Sequence, residues 1–213
     1  MNLKLLGAAA LAGACLSSTA AARSKSDQTD ALPAISCDIH VYPADGPHSV
    51  GEDMDAVHRV DQDLRHYYEV AGHSLDWLTP NRQLSLLEDV PLASLVGVSQ
   101  RQRTMHPQTL TRRQALEPGA REEATSCSVE IMLPQIMLER GGLATRSLRL
   151  FGVVRKYENG ALVHGYSGFA AAPMTGFQIR GPADAPAATA IVEEAYRKAA
   201  ETLLGNSAKP PRK

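Results

Sequence analysis

The stretch LRLFGVVRKYENGALVHGYSGF, residues 148–169, decides the fold predicted for this chain. Leu148, Leu150 and Val154 share one side of its first half, the pattern of a strand that buries one face. Asn159-Gly160 follows, and this dipeptide between apolar runs is the strongest short signal for a two-residue hairpin turn. The stretch therefore predicts two long antiparallel strands joined by a tight turn.

The predicted turn also fixes which residues lie opposite each other in the hairpin. Counting outward from Asn159-Gly160 places Leu150 opposite Phe169 on the side that meets the core. The same count places Arg155 opposite His164 on the other side, where they are expected to meet solvent or a partner. A preceding strand that carries Val129, Ile131 and Leu133 completes a three-strand meander.

Outside the meander, the chain predicts one more clear strand and several helices. Residues 35–41 alternate as a half-buried strand that ends at Pro43. Helices are predicted over 52–71, from Thr79-Pro80 to Pro91, and over 184–204, where Gly205 ends the last one. A short strand is expected within 92–99. The fold class is α+β, with an antiparallel sheet of the meander plus the N-terminal strand and with helices packed on one face.

Composition changes along the chain predict its domain organisation. Residues 1–22 read as a signal peptide and residues 23–34 as a polar linker. A single α+β domain is predicted over 35–205, interrupted by a long polar loop at about 100–126. Residues 206–213 form a basic tail that is predicted to be disordered.

The N-terminal leader leaves two processing outcomes open. A basic start, an apolar run and the small residues Ala20-Ala21-Ala22 are typical of a secretory signal that is cleaved before Arg23. Alternatively, the residues that end in Cys15 resemble a loose lipobox, in which the cysteine is lipidated and anchors the protein to a membrane. Both outcomes predict export, to the periplasm or to the outer membrane.

Two further cysteines lie in the predicted domain. In an exported chain, thiols tend to oxidise, so Cys37 and Cys127 are expected to form one disulfide. Two separate buried thiols are the alternative. A cysteine metal site would need more ligands nearby, and the sequence shows none.

Composition and motifs exclude several chemistries. A formal net charge of −1 gives no global polycation, so nucleic-acid binding is not expected. Neither a phosphate-cradling glycine loop nor a dinucleotide fingerprint is present. Gly165-Tyr166-Ser167-Gly168 is not the nucleophile elbow of serine hydrolases. We therefore predict no cofactor, no metal and no catalytic residue.

One enzymatic alternative stays open. His58 and His66 lie on the predicted first helix, each three residues after an aspartate, Asp55 and Asp63. Such pairs can bind a metal or orient an imidazole, although a solvated helix face with local ion pairs explains them as well. The alternative function is a periplasmic hydrolase or metal-dependent enzyme that uses these residues or His164.

Four residues are predicted to contact a partner. Arg155 and His164 would form a small polar patch on the hairpin. Arg112 and Arg113 belong to the arginine-rich stretch before residue 126, for which two interpretations stay open: contact with anionic envelope material, or an ordinary solvated loop. The predicted partner is an envelope protein or polymer, and a membrane only if Cys15 is lipidated.

The whole mature region resembles a family of small, uncharacterised exported proteins of Gram-negative bacteria. The residues that carry this resemblance are Ile35-Ser36-Cys37-Asp38-Ile39-His40-Val41-Tyr42-Pro43, Asn81-Arg82-Gln83-Leu84, Pro91-Leu92, Cys127-Ser128-Val129-Glu130 and Ser147-Leu148-Arg149-Leu150-Phe151. The element order also looks like the periplasmic domain of envelope-assembly lipoproteins, which are small α+β modules that bind partner proteins. The family has no assigned activity, so the resemblance implies no catalytic residues. The export signal, the expected disulfide and the lack of a convergent catalytic set predict a non-enzymatic exported module that binds or helps to assemble envelope components.

Overall fold

The computed structural model describes residues 36–50, 78–122, 125–140, 146–177 and 182–210. Every described residue belongs to one compact unit, which spans Pro33–Lys213. The leader with Cys15, the predicted helix over 52–71 and the histidines His58 and His66 lie outside the described residues. No helix among the described ones is long and apolar enough to cross a membrane.

The described residues form six strands, four α-helices and one 3₁₀ turn. In order they are β1 (Ser36–Tyr42), β2 (Pro47–Val50), α1 (Pro80–Glu88), α2 (Leu92–Leu95), β3 (Ser99–Met105), α3 (Arg112–Leu116), β4 (Cys127–Arg140), β5 (Arg146–Glu158), β6 (Ala161–Pro173), a short 3₁₀ turn (Pro182–Asp184) and α4 (Ala185–Ser207). The α+β class predicted from the sequence is confirmed.

The sheet is mixed, so the prediction of an antiparallel sheet is only partly correct. Its strand order is β3-β1-β4-β5-β6, and β2 pairs with the later part of β4. The predicted meander is present, because β4, β5 and β6 are antiparallel neighbours. In contrast, β1 runs parallel to both β3 and β4. A long crossover of the kind that parallel neighbours require separates β1 from β4 in the chain.

Two segments differ from their predicted conformation. Residues 92–95 form helix α2 rather than a strand, and residues 99–105 form strand β3 where the long polar loop was predicted. Helix α3 lies in that same stretch and begins with a capping box between Thr111 and Gln114. At the C-terminal end, α4 continues through Gly205 to Ser207, three residues beyond the predicted end.

The β5–β6 hairpin has the predicted turn but a shifted register. Asn159 and Gly160 both have positive φ, 50° and 79°, as a two-residue turn of this type requires. A bulge then leaves Val163 without a partner on β5, so that every later pair moves by one residue. Arg155 therefore lies opposite Gly165, and Lys156 lies opposite His164. The predicted pairing of Arg155 with His164 is wrong for this reason.

The main core lies between one face of the sheet and the helices α1, α2 and α4. Helix α1 starts as predicted, with the Thr79 side chain accepting from the Arg82 amide and Pro80 in the first turn. Its Leu84 and Leu87 face inward. Cys37 and Cys127 also lie in this core and form the predicted disulfide, with their Cα atoms 4.6 Å apart. The bond ties the first residues of β1 to those of β4.

The opposite face of the sheet carries a smaller apolar cluster, which the prediction of helices on one face did not include. This second cluster consists of Tyr42, Leu110, Ala115, Met132, Phe151 and Val153, with Phe169 packed at its side. Ala115 belongs to α3, so this short helix and the segment around it cover part of the face. Both faces of the sheet thus bury apolar side chains, and polar groups beside the second cluster are partly shielded from water.

Candidate functional site

A polar cluster, defined as His40, Tyr42, His106, Glu122 and Glu130, lies beside the second apolar cluster. Alternation along β1 turns His40 and Tyr42 away from the main core, because Ile39 and Val41 point into it. Glu130 occupies the equivalent face of β4, where it pairs in register with His40. His106 follows β3 directly, and its amide donates to the Val41 carbonyl at 2.9 Å. The sheet therefore brings together residues that are up to ninety positions apart in the sequence.

The side chains of His40, His106 and Glu122 converge on one point, and the Tyr42 side chain contacts two of them. His40 Nδ1 lies 3.1 Å from His106 Nε2, and His106 Nε2 lies 3.5 Å from Glu122 Oε1. The Tyr42 hydroxyl donates to the same oxygen of Glu122. The His106 ring stacks on the Tyr42 ring, with centroids 4.4 Å apart and planes 5° from parallel. Stacking and hydrogen bonding together hold the imidazole and the carboxylate in place.

Burial and the neighbouring carboxylates change the acidity of two groups in the cluster. Desolvation raises the pKa of the Tyr42 hydroxyl above its ordinary value, and the hydrogen bond to Glu122 raises it further. Tyr42 therefore stays protonated and acts as a donor. Desolvation also lowers the pKa of the His106 imidazole, although the Glu122 charge opposes this effect. His106 is consequently neutral at neutral pH, with one ring nitrogen available as an acceptor.

Glu130 is a fully buried carboxylate with an incomplete set of hydrogen bonds. Its Oε1 accepts from the Arg121 amide at 2.5 Å, while no group among the described residues hydrogen-bonds to its Oε2. A buried charged group without full hydrogen bonding is costly, so such groups are concentrated at functional sites. Glu130 adds negative potential beneath the cluster.

A second feature of this face is a pair of arginines over aromatic rings, here called the arginine–phenylalanine patch. The Arg112 guanidinium lies 4.4 Å from the Phe151 centroid and 5.4 Å from that of Phe169. The Arg149 guanidinium lies 4.4 Å from the Phe169 centroid. Beside the patch runs an open groove of about 560 Å³ that includes Arg112 and Gln135 in its lining. Arginine stacked on an aromatic ring is a common feature of protein interfaces.

The predicted partner-contacting residues are not brought together by the fold. Arg155 is only 8% exposed, and its guanidinium donates to the Glu117 carbonyl at 2.7 Å. Of the two predicted environments, solvent or a partner, the structure does not show the first. His164 faces the opposite side of the sheet, where its Nε2 donates to the Ser207 carbonyl at 2.8 Å. Arg113 is exposed and lies 3.8 Å from Glu117. Of the four, Arg112 alone lies in the patch.

His106 and Glu122 were missed because both lie in the stretch that was predicted to be a loop. A detectable signal was the sequence Thr111-Arg112-Arg113-Gln114, a capping box that indicates a helix inside that stretch. The alternation predicted over 35–41 placed His40 on the face away from the core, and Tyr42 follows on the same face of β1. No local feature of the sequence indicated that His106 would lie beside His40, because this contact depends on the pairing of β3 with β1.

The two edges of the sheet differ in charge. Edge strand β3 carries Arg101 and Arg103, and the Arg101 guanidinium pairs with Asp38 on β1. Edge strand β6 has the sequence ALVHGYSGFAAAP, in which no residue is Asp, Glu, Lys or Arg. Its bulge at Val163 lies near the hairpin turn, and the residues after it pair regularly with β5. Among the described strands, β6 is therefore a long and uncharged edge.

Comparisons with known proteins do not assign the chain to a family. No protein-family model matches it, and no curated protein matches it. It is similar in structure to a Xanthomonas campestris protein assigned to family model DUF330, with 11% identity over 84% of this chain and 87% of that one and a TM-score of 0.39. It is also similar to a Neisseria meningitidis lipoprotein, with 9% identity over 74% of this chain and 96% of that one and a TM-score of 0.22. A Chlamydia trachomatis hypothetical protein has 9% identity over 80% of this chain and 97% of that one and a TM-score of 0.28.

Proposed function

We propose that the protein is an exported, non-enzymatic envelope module that binds an extended acidic segment of a partner protein along β6. The observation that carries this proposal is the absence of charge from a thirteen-residue edge strand. Soluble proteins normally protect such edges with charged residues, prolines or bulges, because unpaired backbone groups invite another strand. Adding a strand to a free edge is a common way to bind an extended peptide.

The contrast between the two edges supports this choice of surface. At β3 the arginines Arg101 and Arg103 are bonded to neighbouring groups, including Asp38 and the Glu88 carbonyl. Charged side chains of this kind discourage strand addition. Among the described residues, β6 carries no charged side chain after the bulge at Val163, and its one proline, Pro173, is the last residue of the strand. Ser167 and Ala171 are exposed and have small side chains. A partner strand is therefore expected at β6 and not at β3.

The charge of the partner follows from the arginine–phenylalanine patch. Phe169 belongs to β6 itself, and Arg112 and Arg149 both lie over its ring. Side chains of an added strand alternate between the two faces of the sheet, so every second residue would reach this patch. Acidic side chains at those positions would meet the two guanidinium groups, whereas basic ones would be repelled.

Export to an oxidising compartment is the second part of the proposal. The leader over residues 1–22 supports it, and so does the pairing of Cys37 with Cys127, since disulfides are rare in the cytosol. Cleavage before Arg23 would release a periplasmic protein, and lipidation at Cys15 would attach the same module to a membrane. Intact mass of the mature protein distinguishes these two products.

Site-specific cross-linking in the host envelope tests the β6 surface. A photo-reactive amino acid is introduced at Ser167 on β6 or, as a matched control, at Gln102 on β3, and both positions are exposed. We expect a discrete protein adduct from position 167 and none from position 102. Mass spectrometry of the adduct should identify an extended, acidic peptide. Equal adducts from both edges, or an adduct only with polymer or lipid, would contradict the proposal.

Charge reversal at adjacent positions adds a matched pair of variants to this experiment. Arg112→Glu removes the guanidinium over Phe151, and Arg113→Glu makes the same change at an exposed neighbour that lies by Glu117. We expect Arg112→Glu to lower the yield of the adduct at least ~10-fold, as for an interface arginine of large effect. Arg113→Glu should leave it nearly unchanged. An equal loss in both variants would indicate non-specific attraction by charge.

A further inference from the structure

We propose that His40, His106 and Glu122 form a binding site for a divalent transition-metal ion of the Zn²⁺ type. One potential ligand atom from each residue lies within 4.8 Å of the other two. This site is separate from the β6 edge, and its failure would leave the proposed function unaffected. The sequence analysis did not predict it, since two of its residues lie in the stretch that was read as a loop.

Two of the three separations between the ligand atoms agree with tetrahedral coordination. Ligands that lie 2.0–2.1 Å from a tetrahedral Zn²⁺ ion are about 3.3–3.4 Å from each other. The observed separations are 3.1 Å between His40 Nδ1 and His106 Nε2 and 3.5 Å between His106 Nε2 and Glu122 Oε1. The third separation, between the ligand atoms of His40 and Glu122, is no more than 4.8 Å, so the Glu122 carboxylate would move closer to His40 when an ion binds. Binding requires a lone pair on each ligand nitrogen, so a proton on His40 Nδ1 or His106 Nε2 would move to the other nitrogen of the same ring.

The site is organised before any ion binds. His40 is held in β1, a strand with neighbours on both sides, and His106 is fixed by its backbone bond to Val41 and by stacking on Tyr42. The Tyr42 hydroxyl donates to the Glu122 carboxylate and orients it. Outer-shell partners of this kind are typical of metal sites, where they fix the direction of each ligand.

The chemistry of the ligands selects the class of ion. Two imidazole nitrogens and one carboxylate favour Zn²⁺ and its neighbours Co²⁺, Ni²⁺ and Cu²⁺ over Mg²⁺ and Ca²⁺, which prefer oxygen ligands. Cys37 and Cys127 are joined in the disulfide and offer no thiolate to compete for the ion. The side chains of His106 and Glu122 are 17% and 31% exposed, which leaves a fourth position open to water.

A bound ion would link the segment that carries α3 to strand β1 of the sheet. His106 lies before α3 and Glu122 lies after it, while His40 belongs to the central part of the sheet. The segment between the two ligands includes Arg112. Metal binding would therefore limit the motion of α3 and of the patch that Arg112 forms with Phe151 and Phe169.

Metal titration of the mature, oxidised protein tests the site. The probe is ZnCl₂, followed by calorimetry and native mass spectrometry, and CoCl₂ provides the visible spectrum of a tetrahedral site. We expect one ion per chain with micromolar or tighter affinity. The midpoint of thermal unfolding should rise by about 5–10 °C at a free Zn²⁺ concentration one hundred times Kd. Tyr42→Phe, which removes a positioning residue, should weaken binding about tenfold.

Two double variants decide between the candidate histidine pairs. His40→Ala/His106→Ala should abolish the bound ion and the cobalt spectrum. His58→Ala/His66→Ala removes the same number of imidazoles from the other candidate pair and should leave both unchanged. The proposal is overturned if the wild type binds no Zn²⁺ at 100 µM. It is equally overturned if binding survives in the first double variant or is lost only in the second.

Discussion

The double variant Cys37→Ala/Cys127→Ala is expected to lose about 4 kcal/mol of unfolding free energy. The disulfide closes a loop with a sequence separation of 90 residues, so its removal frees a large number of unfolded conformations. Both side chains are fully buried between β1 and β4, and alanine leaves no unpaired polar group there. Urea unfolding followed by circular dichroism measures the change.

Reduction of the wild-type protein provides the control for this variant. Reduced protein retains both sulfur atoms, so it should lose most of the same free energy without loss of side-chain volume. Any further loss in the double variant measures packing around Cys37 and Cys127. Unfolding curves that are unchanged by reduction would contradict the assignment of this bond as a main stabilising link between β1 and β4.

Leu203→Ala is expected to lower the free energy of unfolding by about 3 kcal/mol through the cavity it leaves in the core. Leu203 lies on α4 and is fully buried. It contacts the sheet where β5 has Gly152, and a methyl group at that glycine would lie 2.8 Å from Leu203 Cδ2. The close approach of α4 to β5 therefore depends on both residues.

The matched control for this prediction is Leu162→Ala. It deletes the same atoms from a side chain that is 56% exposed near the hairpin turn. We expect this variant to change the free energy of unfolding by less than about 0.5 kcal/mol. Equal losses in the two variants, measured by urea unfolding, would show that α4 does not pack on β5 as described.

Local signals in the sequence predicted local structure well. The hairpin turn at Asn159-Gly160 and the start of α1 at Thr79 both follow from the conformational preferences of single residues, and both are present. Alternation on β1 correctly separated the core residues Ile39 and Val41 from His40. These features need no knowledge of distant contacts, which explains why one sequence is enough to predict them.

Features that depend on distant pairing were not predicted. The direction of β1 relative to β4 is set by the crossover that separates them, and alternation of side chains is the same in parallel and antiparallel strands. Strand β3 was missed because its sequence SQRQRTM lacks the apolar alternation of a buried strand. Its polar side chains fit an edge position, which only the assembled sheet defines.

The polar cluster was not predicted from the sequence either, because it also depends on distant strand pairing. His106 reaches His40 only because β3 pairs with β1, and Glu122 reaches them because its segment crosses the second face. The register of Arg155 was also wrong, because the bulge at Val163 has no glycine or proline to mark it. The residues of the polar cluster are thus far apart in the sequence, and only the assembled sheet brings their side chains into contact.

Amide hydrogen exchange tests the central claim most directly, namely that a partner strand adds to β6. The probe is a synthetic peptide of the segment identified by cross-linking at position 167, added at saturating concentration to the mature protein. We expect exchange to slow at residues 164–172, where the partner would satisfy free amide groups, and to stay unchanged at residues 99–105 on β3. Exchange that is unchanged along β6, or that slows on β3 instead, would contradict the account.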